Sequence, residues 1–448
     1  MNTKTKIWLP LIIATSLLAG YCLHYFSSLR TKQPTILSTQ TLSPGKLDII
    51  LKRLGDSYYK PVKKDSIEEA LIHEMLKGLD PHTAYISAEQ MKSVREDMQG
   101  HFSGIGVQFI KYEDTVRVVR PIPEGPSEKA GILAGDRIVT VDGDTIAGKK
   151  LKTDSIMKRL KGIAGSEVDL GILRTPEKAL QIFKVRRGNV KVATVDFAYM
   201  LDKQTGYIKI NQFGAQTYRE FLEALSKLKK EGMKRLVIDL RSNVGGLMGI
   251  CIAMVNQFLE KGELIVYTKG INSSRVDKRA NGEGNFKELP LVVLIDSYSA
   301  SASEIFAGAI QDHDRGIIVG RRSFGKGLVQ QQMEYPDGSA LRLTVSEYFT
   351  PSGRNIQKPF KMGDRTSYDN DLNKRYEHGE FAIADSIHFA DSLKYKTDKG
   401  RTVYGGGGIM PDIFVPLDTT AYSKYFDKVQ RKALVRDFSY DFADKHRA

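Results

Sequence analysis

From Lys191 onward, short apolar runs that read as buried strands alternate with segments of helical spacing. "TGYIKINQF" is a strand, "TYREFLEALSKLKKEG" a helix, and "RLVIDLR" a buried strand running into "SNVGG". The helical "GLMGICIAMVNQFLEKG", the strands "LIVYTKG" and "LVVLID", the helix "SASEIFAGAIQDH" and the strand "GIIVG" follow. Strands alternating with helices of this length predict an α/β domain around a largely parallel sheet. That domain cannot be the whole protein, because 448 residues call for two or three domains.

The remainder divides by texture. Residues 101–188 hold short β-type runs ("GIGVQFI", "TVRVVRPI", "DRIVTVDG", "SEVDLGILR") between Gly, Pro and Asp turns, with one helical piece at 152–162. Residues 46–100 carry apolar positions at helical spacing (Ile50, Leu51, Leu54, then Ala70, Leu71, Met75, Leu76), broken by the turn "LDPHT". Residues 30–45 are polar, contain Pro34, Pro44 and Gly45, and read as a linker. The α/β domain spans 189–416, and 417–448 is a charged helical tail.

Residues 7–29 contain no charge. As a helix these 23 residues would span about 35 Å at ~1.5 Å per residue, enough for a hydrocarbon core of about 30 Å. Lys4 and Lys6 precede the run and favour a cytoplasmic N-terminus. A cleaved signal peptide is the alternative, but no small-x-small site follows, and Tyr21 before Cys22 departs from a lipoprotein signal. Either way the rest is exported. The expectation is a single-pass bacterial inner-membrane anchor with the remainder in the periplasm.

Several function classes are disfavoured. The formal net charge of +14 raises nucleic acid as a partner. Yet Lys and Arg fall in short clusters (Lys63-Lys64, Arg186-Arg187, Lys229-Lys230, Arg321-Arg322) with no recognisable nucleic-acid motif, so the charge reads as a solvated surface. Cys22 and Cys251 are too few for a disulfide framework. His73-Glu74 runs on into Met-Leu-Lys, which is not a zinc-protease motif, and His313 in "QDHDRG" reads as a helix end.

"GRRSFGKGLV" (320–329) has the Gly-x-x-x-x-Gly-Lys outline of a phosphate-binding loop. Such a loop needs Ser or Thr after the lysine and a helix facing the phosphates. Gly327 follows Lys326, and what comes next is a hairpin around Pro336-Asp337-Gly338-Ser339. Lys326 is instead a candidate base, because burial beside Phe324, Leu328 and Val329 would lower its pKa toward ~7–8. In "DSYSASASEIF", Ser301 with Glu304 is an ordinary capping box. The same geometry puts a hydroxyl at a helix N-terminus, where amides stabilise developing negative charge. No histidine lies in a recognisable triad motif, whereas "DLRSNVGG" offers a second flexible amide source. Ser155–Lys158 and Ser226–Lys229 match Ser-x-x-Lys only on amphipathic helices.

Together, "SASASEIFAGAIQDHDRGIIVGRRSFGKGLVQ", "LDPHTAY", "FSGIGV", "DLRSNVGG", "YFTPSGRNIQ" and "GGGGIMPDIFVP" closely resemble the carboxyl-terminal processing proteases, the tail-specific serine peptidases. The resemblance covers about 46–416 and implies a multidomain α/β protein. Its parts would be a crotonase/ClpP-like β-β-α spiral, a PDZ domain at 101–188 and an N-terminal helical subdomain at 46–100. It implies Ser301 as nucleophile, Lys326 as base and Gln330 as the orienting glutamine, with Ser299 and Ser303 as competing serines. The oxyanion amides fall on Ala302 and on Gly245 or Gly246. Gly104, Ile105, Gly106 and Val107 fall on the carboxylate loop of the PDZ domain, where amides and a strand edge would take a chain terminus. The implied partners are unfolded C-terminal tails, with an adaptor protein possible; no cofactor, metal or nucleic acid is implied. The rival readings are a catalytically silent PDZ scaffold and a nucleotide-dependent enzyme.

Overall fold

The computed structural model describes residues 45–446 except 113, 176, 178, 421 and 422. The anchor expected at 7–29 and all but the last residue of the expected linker lie outside these. Among the described residues no helix is long and apolar enough to cross a membrane. The chain divides into two compact units between Ile72 and His73.

The first unit contains helix α1 (Lys46–Ser57) and most of helix α2 (Lys64–Lys77), which runs across the division. Leu47, Ile49 and Ile50 of α1 are exposed.

The second unit begins with β1 (Ala84–Ile86) and α3 (Ala88–Gln99). The sequence pattern reads 46–100 as one helical piece, and β1 explains why the division falls elsewhere. Ala84, Tyr85 and Ile86 pair antiparallel with Arg342, Leu341 and Ala340, so this stretch belongs to the α/β part.

Next comes a small β module. Strands β2 (His101–Gly104), β3 (Val107–Tyr112), β4 (Thr115–Pro121), β5 (Arg137–Val141) and β6 (Asp144–Thr145) precede α4 (Thr153–Leu160). Strands β7 (Glu167–Leu173), β8 (Leu180–Arg186) and β9 (Gly188–Lys191) follow. The sheet order is β3-β4-β5-β7-β8, so one edge of β3 is open among the described residues. Ile156 and Leu160 of α4 pack into a core with Val116, Val118, Ile138 and Leu170. The β2–β9 ladder carries the module to Lys191, slightly past the expected Gly188.

The α/β part contains β10 (Val195–Met200), β11 (Thr205–Ile210), α5 (Thr217–Lys230), β12 (Arg235–Asp239) and α6 (Met248–Val255). After these come β13 (Leu264–Gly270), β14 (Ser273–Arg279), β15 (Leu291–Ile295), α7 (Ala302–Asp312) and β16 (Ile317–Gly320). The hairpin β17 (Leu328–Glu334) and β18 (Ala340–Phe349) follows. Helices α8 (Arg365–Asp369) and α9 (Asp371–Glu377), the pair β19 (Lys394–Lys396) and β20 (Thr402–Tyr404), and β21 (Ile413–Phe414) complete it. In the main sheet β11, β12, β15, β16 and β21 are parallel neighbours, with β10 added antiparallel. A second sheet joins β1, β18, β13 and β14, with β17 also on β18. The chain thus spirals from a main-sheet strand through a helix to second-sheet strands and back, as a crotonase-like fold does.

Local sequence explains the helices. Phe221, Ala224, Leu225 and Leu228 put a buried stripe on α5, while Lys227, Lys229 and Lys230 in its last turn face the negative end of the helix dipole. Helix α7 is buried along its whole length, so its polar groups need partners. Buried Arg354 supplies them at the C-terminal end, 2.7 Å from both Gln311 and Asp312. The C-terminal helices α10 (Lys424–Arg431) and α11 (Leu434–Lys445) come last. Asp444 of α11 pairs with Arg117 at 3.1 Å and Arg137 at 2.6 Å, so this helix docks on the sheet of the β module.

Candidate active site

Parallel strands β12 and β15 both end at tight turns, and these turns meet. Ser301 caps α7 with φ 55° and ψ −113°, a region that costs a non-glycine residue about 1–3 kcal/mol and persists only when its surroundings enforce it. Three contacts do so. The carboxylate of Glu304 accepts the Ser301 N–H at 2.8 Å, Tyr348 donates to the Ser301 carbonyl at 3.1 Å, and Cys251 donates to the Ala302 carbonyl at 3.0 Å. Of the capping box expected from Ser-x-x-Glu the glutamate half is built, while the serine side chain makes no cap hydrogen bond.

Burial separates the three serines. Ser299 Oγ donates to the Leu240 carbonyl at 2.8 Å, and Ser303 Oγ donates to the Asn243 carbonyl at 2.9 Å; both residues are fully buried. Ser301 alone of the three lines a cavity of about 450 Å³.

Asn243 also organises the glycine turn. Its side chain donates to the Ile210 carbonyl at 3.0 Å and accepts the Gly245 N–H at 2.9 Å. A Cβ on Gly245 would lie 2.8 Å from Ser301 Cβ and 2.9 Å from the Ala302 nitrogen, so only glycine allows this approach. Gly246 lines the cavity. The N–H groups of Gly246 and Ala302 meet no acceptor among the described residues, whereas that of Gly245 is taken.

Lys326 lines the same cavity from the loop before β17, as do Gln330, Arg342, Phe213 and Tyr348. Apolar walls come from Val94 and Met98 of α3 and from Leu247, Met248 and Ile305. The Lys326 ammonium forms no ion pair or hydrogen bond among the described residues, with Ser301 and Gln330 included. Burial lowers its pKa below 10.5, helped by the charge of Arg342 and opposed by Glu304 and Asp80. Gln330 follows a register shift in the β17–β18 ladder and donates to Thr344 Oγ1 at 3.3 Å.

Glu304, seen in the sequence only as a cap, ties lysine loop to serine turn. One carboxylate oxygen accepts from Ser323 Oγ and from the Gly325 N–H at 2.7 Å. The other accepts from the N–H of Ser301 at 2.8 Å and of Lys326 at 2.9 Å. Tyr348 bridges the same two segments through the carbonyls of Ser301 and Lys326. Burial pushes the Glu304 carboxyl up to about 7, against those hydrogen bonds. Three of the four neighbours are backbone N–H groups that can only donate, which favours the anion, while the Ser323 hydroxyl can donate to it or accept from the neutral acid. Asp80, Asn243, Tyr348 and Arg342 likewise escaped sequence reasoning, since each meets the site from a distant segment.

No metal centre competes with this reading among the described residues. Glu263, His313 and Asp398 do cluster. His313, the α7 C-cap, faces Asp398 with Nδ1 and the Leu264 carbonyl with Nε2, each at 2.7 Å. Both nitrogens meet acceptors, as an imidazolium requires, and burial is outweighed by these bonds so that its pKa rises.

In the β module, Gly104 bridges Lys161 and Ile105 packs in the core. Gly106 has φ 71°. The carbonyls of Ile105 and Gly106 accept from Ser127 and Ile122, each at 2.9 Å. Val107 begins β3, whose open edge continues from this loop.

Residues 204–365 match peptidase family S41, and residues 103–194 match a PDZ domain. A probable CtpA-like serine protease of Staphylococcus aureus (strain N315) is 34% identical over 418 residues, 90% of this chain and 83% of that protein. One from Staphylococcus haemolyticus (strain JCSC1435) is 35% identical over 314 residues, 69% of this chain and 62% of that protein. Among solved structures, a photosystem II D1 C-terminal processing protease aligns over 83% of this chain and 86% of its own at 27% identity, with a TM-score of 0.44. The protein is a serine-type peptidase carrying a PDZ domain. It belongs to peptidase family S41, among the CtpA-like carboxyl-terminal processing proteases.

Glu304→Gln replaces a carboxylate that can accept at both oxygens by an amide that must turn an NH₂ toward at least one backbone N–H. We expect kcat to fall by about a hundredfold or more, as misplacing reacting groups does. Since Glu304 raises the Lys326 pKa, its loss should also move the rising limb of the pH–rate profile to lower pH. Wild-type kcat with an unmoved limb would show that the carboxylate is dispensable.

Proposed function

We propose that Ser301 and Lys326 act as a nucleophile–base dyad in an endopeptidase that binds the C-terminal tails of its protein substrates through the PDZ domain. The observation carrying this reading is that both residues line one cavity, where a buried, unpaired lysine has its pKa lowered. Neutral Lys326 takes the Ser301 Oγ proton; Oγ bonds to the scissile carbonyl carbon, and the electron pair moves onto the carbonyl oxygen. The amides of Ala302 and Gly246, rather than Gly245, donate to that oxyanion. On collapse the C–N bond breaks, and Lys326 gives its proton to the leaving amine. Lys326 then deprotonates a water, which attacks the acyl ester, and the second collapse returns the proton to Ser301. Gln330 lines the same cavity, and its role in this reading is to orient the lysine. The segments still have to bring Nζ and Oγ within hydrogen-bonding reach, since hydrogen bonds of this kind tighten only in the substrate complex.

Activity requires the neutral amine, which is lost below the lysine pKa. The rate should therefore rise with pH and level off below the ordinary lysine value of 10.5. Ser301→Ala and Lys326→Ala should both abolish peptide cleavage. Lys326→Arg should be equally dead, because a guanidinium stays protonated. An active Ser301→Ala enzyme, or a rate already maximal in acid, would remove the dyad.

The open β3 edge and the 104–107 loop support tail recognition by strand addition, with Gly104, Ile105, Gly106 and Val107 around the terminal carboxylate. Amidating a substrate's C-terminus should weaken binding by about 1.5–3 kcal/mol, as the loss of a hydrogen bond to a charged group does. Equal cleavage of free and amidated tails at sub-saturating concentration would move substrate choice into the catalytic cavity.

The charge-free run at 7–29 supports a location in the cell envelope: anchored in the bacterial inner membrane, with the catalytic part in the periplasm. The full-length chain should then stay in the membrane pellet after alkaline carbonate extraction. Its recovery in the soluble fraction would favour a cleaved signal peptide.

A further inference from the structure

The turn "LDPHT" (79–83) is far in sequence from the dyad, but its one acid, Asp80, lies near enough for its charge to act on Lys326. Asp80 accepts from the N–H of His82 at 2.9 Å, the N–H of Thr83 at 3.1 Å, Thr83 Oγ1, and Thr344 Oγ1 at 2.8 Å. Burial disfavours its charge, but the hydrogen bonds from Thr83, His82 and Thr344 win and hold its pKa low.

A carboxylate can only accept, so the Thr344 hydroxyl proton is committed to Asp80. Thr344 Oγ1 is then left as an acceptor for its cross-strand neighbour Gln330, whose side-chain nitrogen lies 3.3 Å away. Only the NH₂ end of that amide can donate. The Thr344 backbone N–H, 3.2 Å from Thr83 Oγ1, pins the threonine to the same turn.

We propose that Asp80 and Thr344 form a relay of hydrogen-bond direction that fixes the Gln330 amide with its NH₂ on Thr344 and its oxygen free to accept from Lys326. The relay rests on the dyad reading above. An oxygen facing the lysine accepts an N–H from either protonation state and leaves the lone pair of the neutral amine aimed elsewhere, toward Ser301. The flipped amide would oppose NH₂ to ammonium. Asp80 and Thr344 are positioning residues that touch no reacting atom: Thr344 acts through Gln330, and Asp80 acts through Thr344 besides its charge on Lys326.

The test uses the full chain and a cleavable peptide. Thr344→Val keeps the shape and removes the hydroxyl. It should lower kcat by about tenfold to a hundredfold, the scale of a misplaced catalytic group. KM should change by less than about twofold, since no ground-state binding is lost. Thr344→Ser should restore most of the rate. In a Gln330→Leu background, Thr344→Val should cost nothing further, because the relay has nothing left to orient. If Thr344→Val fails to fold, Asp80→Asn takes its place, with kcat read on the high-pH plateau because Asp80 also raises the Lys326 pKa; the same loss is expected in the wild-type background and the same silence beside Gln330→Leu. A wild-type kcat in the substituted enzyme overturns the relay. So does an equal loss in both backgrounds, which would mark a purely structural role. Should Ser301→Ala or Lys326→Ala remain active, the dyad itself fails; should both be dead while Thr344→Val is fully active, only the relay falls.

Discussion

One buried carboxylate holds together parts that the chain makes separately. Glu304 sits on the first turn of a helix with no exposed side, where an anion is unfavourable unless every oxygen is satisfied. The site satisfies it with four donors from two loops, Ser301 on one side and Ser323, Gly325 and Lys326 on the other. Hydrogen bonds to a charged group contribute about 1.5–3 kcal/mol each. Together they offset part of the desolvation of the carboxylate, whose pKa burial still raises to about 7. The same bonds fix the distance between serine turn and lysine loop, so strain, burial and placement are one arrangement.

The fold makes that arrangement reachable. Parallel pairing of β12, β15 and β16 puts three strand ends side by side, and the chain leaves them as the glycine turn, the serine turn and the lysine loop. The hairpin β17–β18 then delivers Tyr348, Gln330 and Arg342 to the cavity. Arg342 reinforces what burial begins: a second cation near Lys326 disfavours protonation.

The alternation of strands and helices was legible because each element buries a stripe or a run that its own residues spell out. The pairing of β1 with β18 was not, since three residues at 84–86 carry no local mark of a partner at 340–342. For the site, Ser301 and Lys326 were legible as candidates, and the choice among three serines came from family resemblance. Their environments differ only in three dimensions, where Leu240 and Asn243 occupy the hydroxyls of Ser299 and Ser303. Gly245 and Gly246 could not be separated for the same reason: the acceptor that claims one amide is the side chain of Asn243. Ser-x-x-Glu reads identically at any helix start, so the wider role of Glu304 had no sequence signal.

The module that would choose substrates meets the helix walling the catalytic cavity through ion pairs that solvent reaches. Helix α4 reaches α3 through Lys158–Glu89 at 2.5 Å, an exposed pair of the kind that contributes little once solvent screens it. Lys161–Glu96, also 2.5 Å, is better sheltered, with about a third of each side chain exposed. On its other side α3 presents Val94 and Met98 to the catalytic cavity, and Arg95 meets Glu334 of β17 at 2.6 Å. A displacement of α4 therefore acts first on two partly hydrated ion pairs and on the helix that walls the cavity. It reaches the buried Glu304 network last.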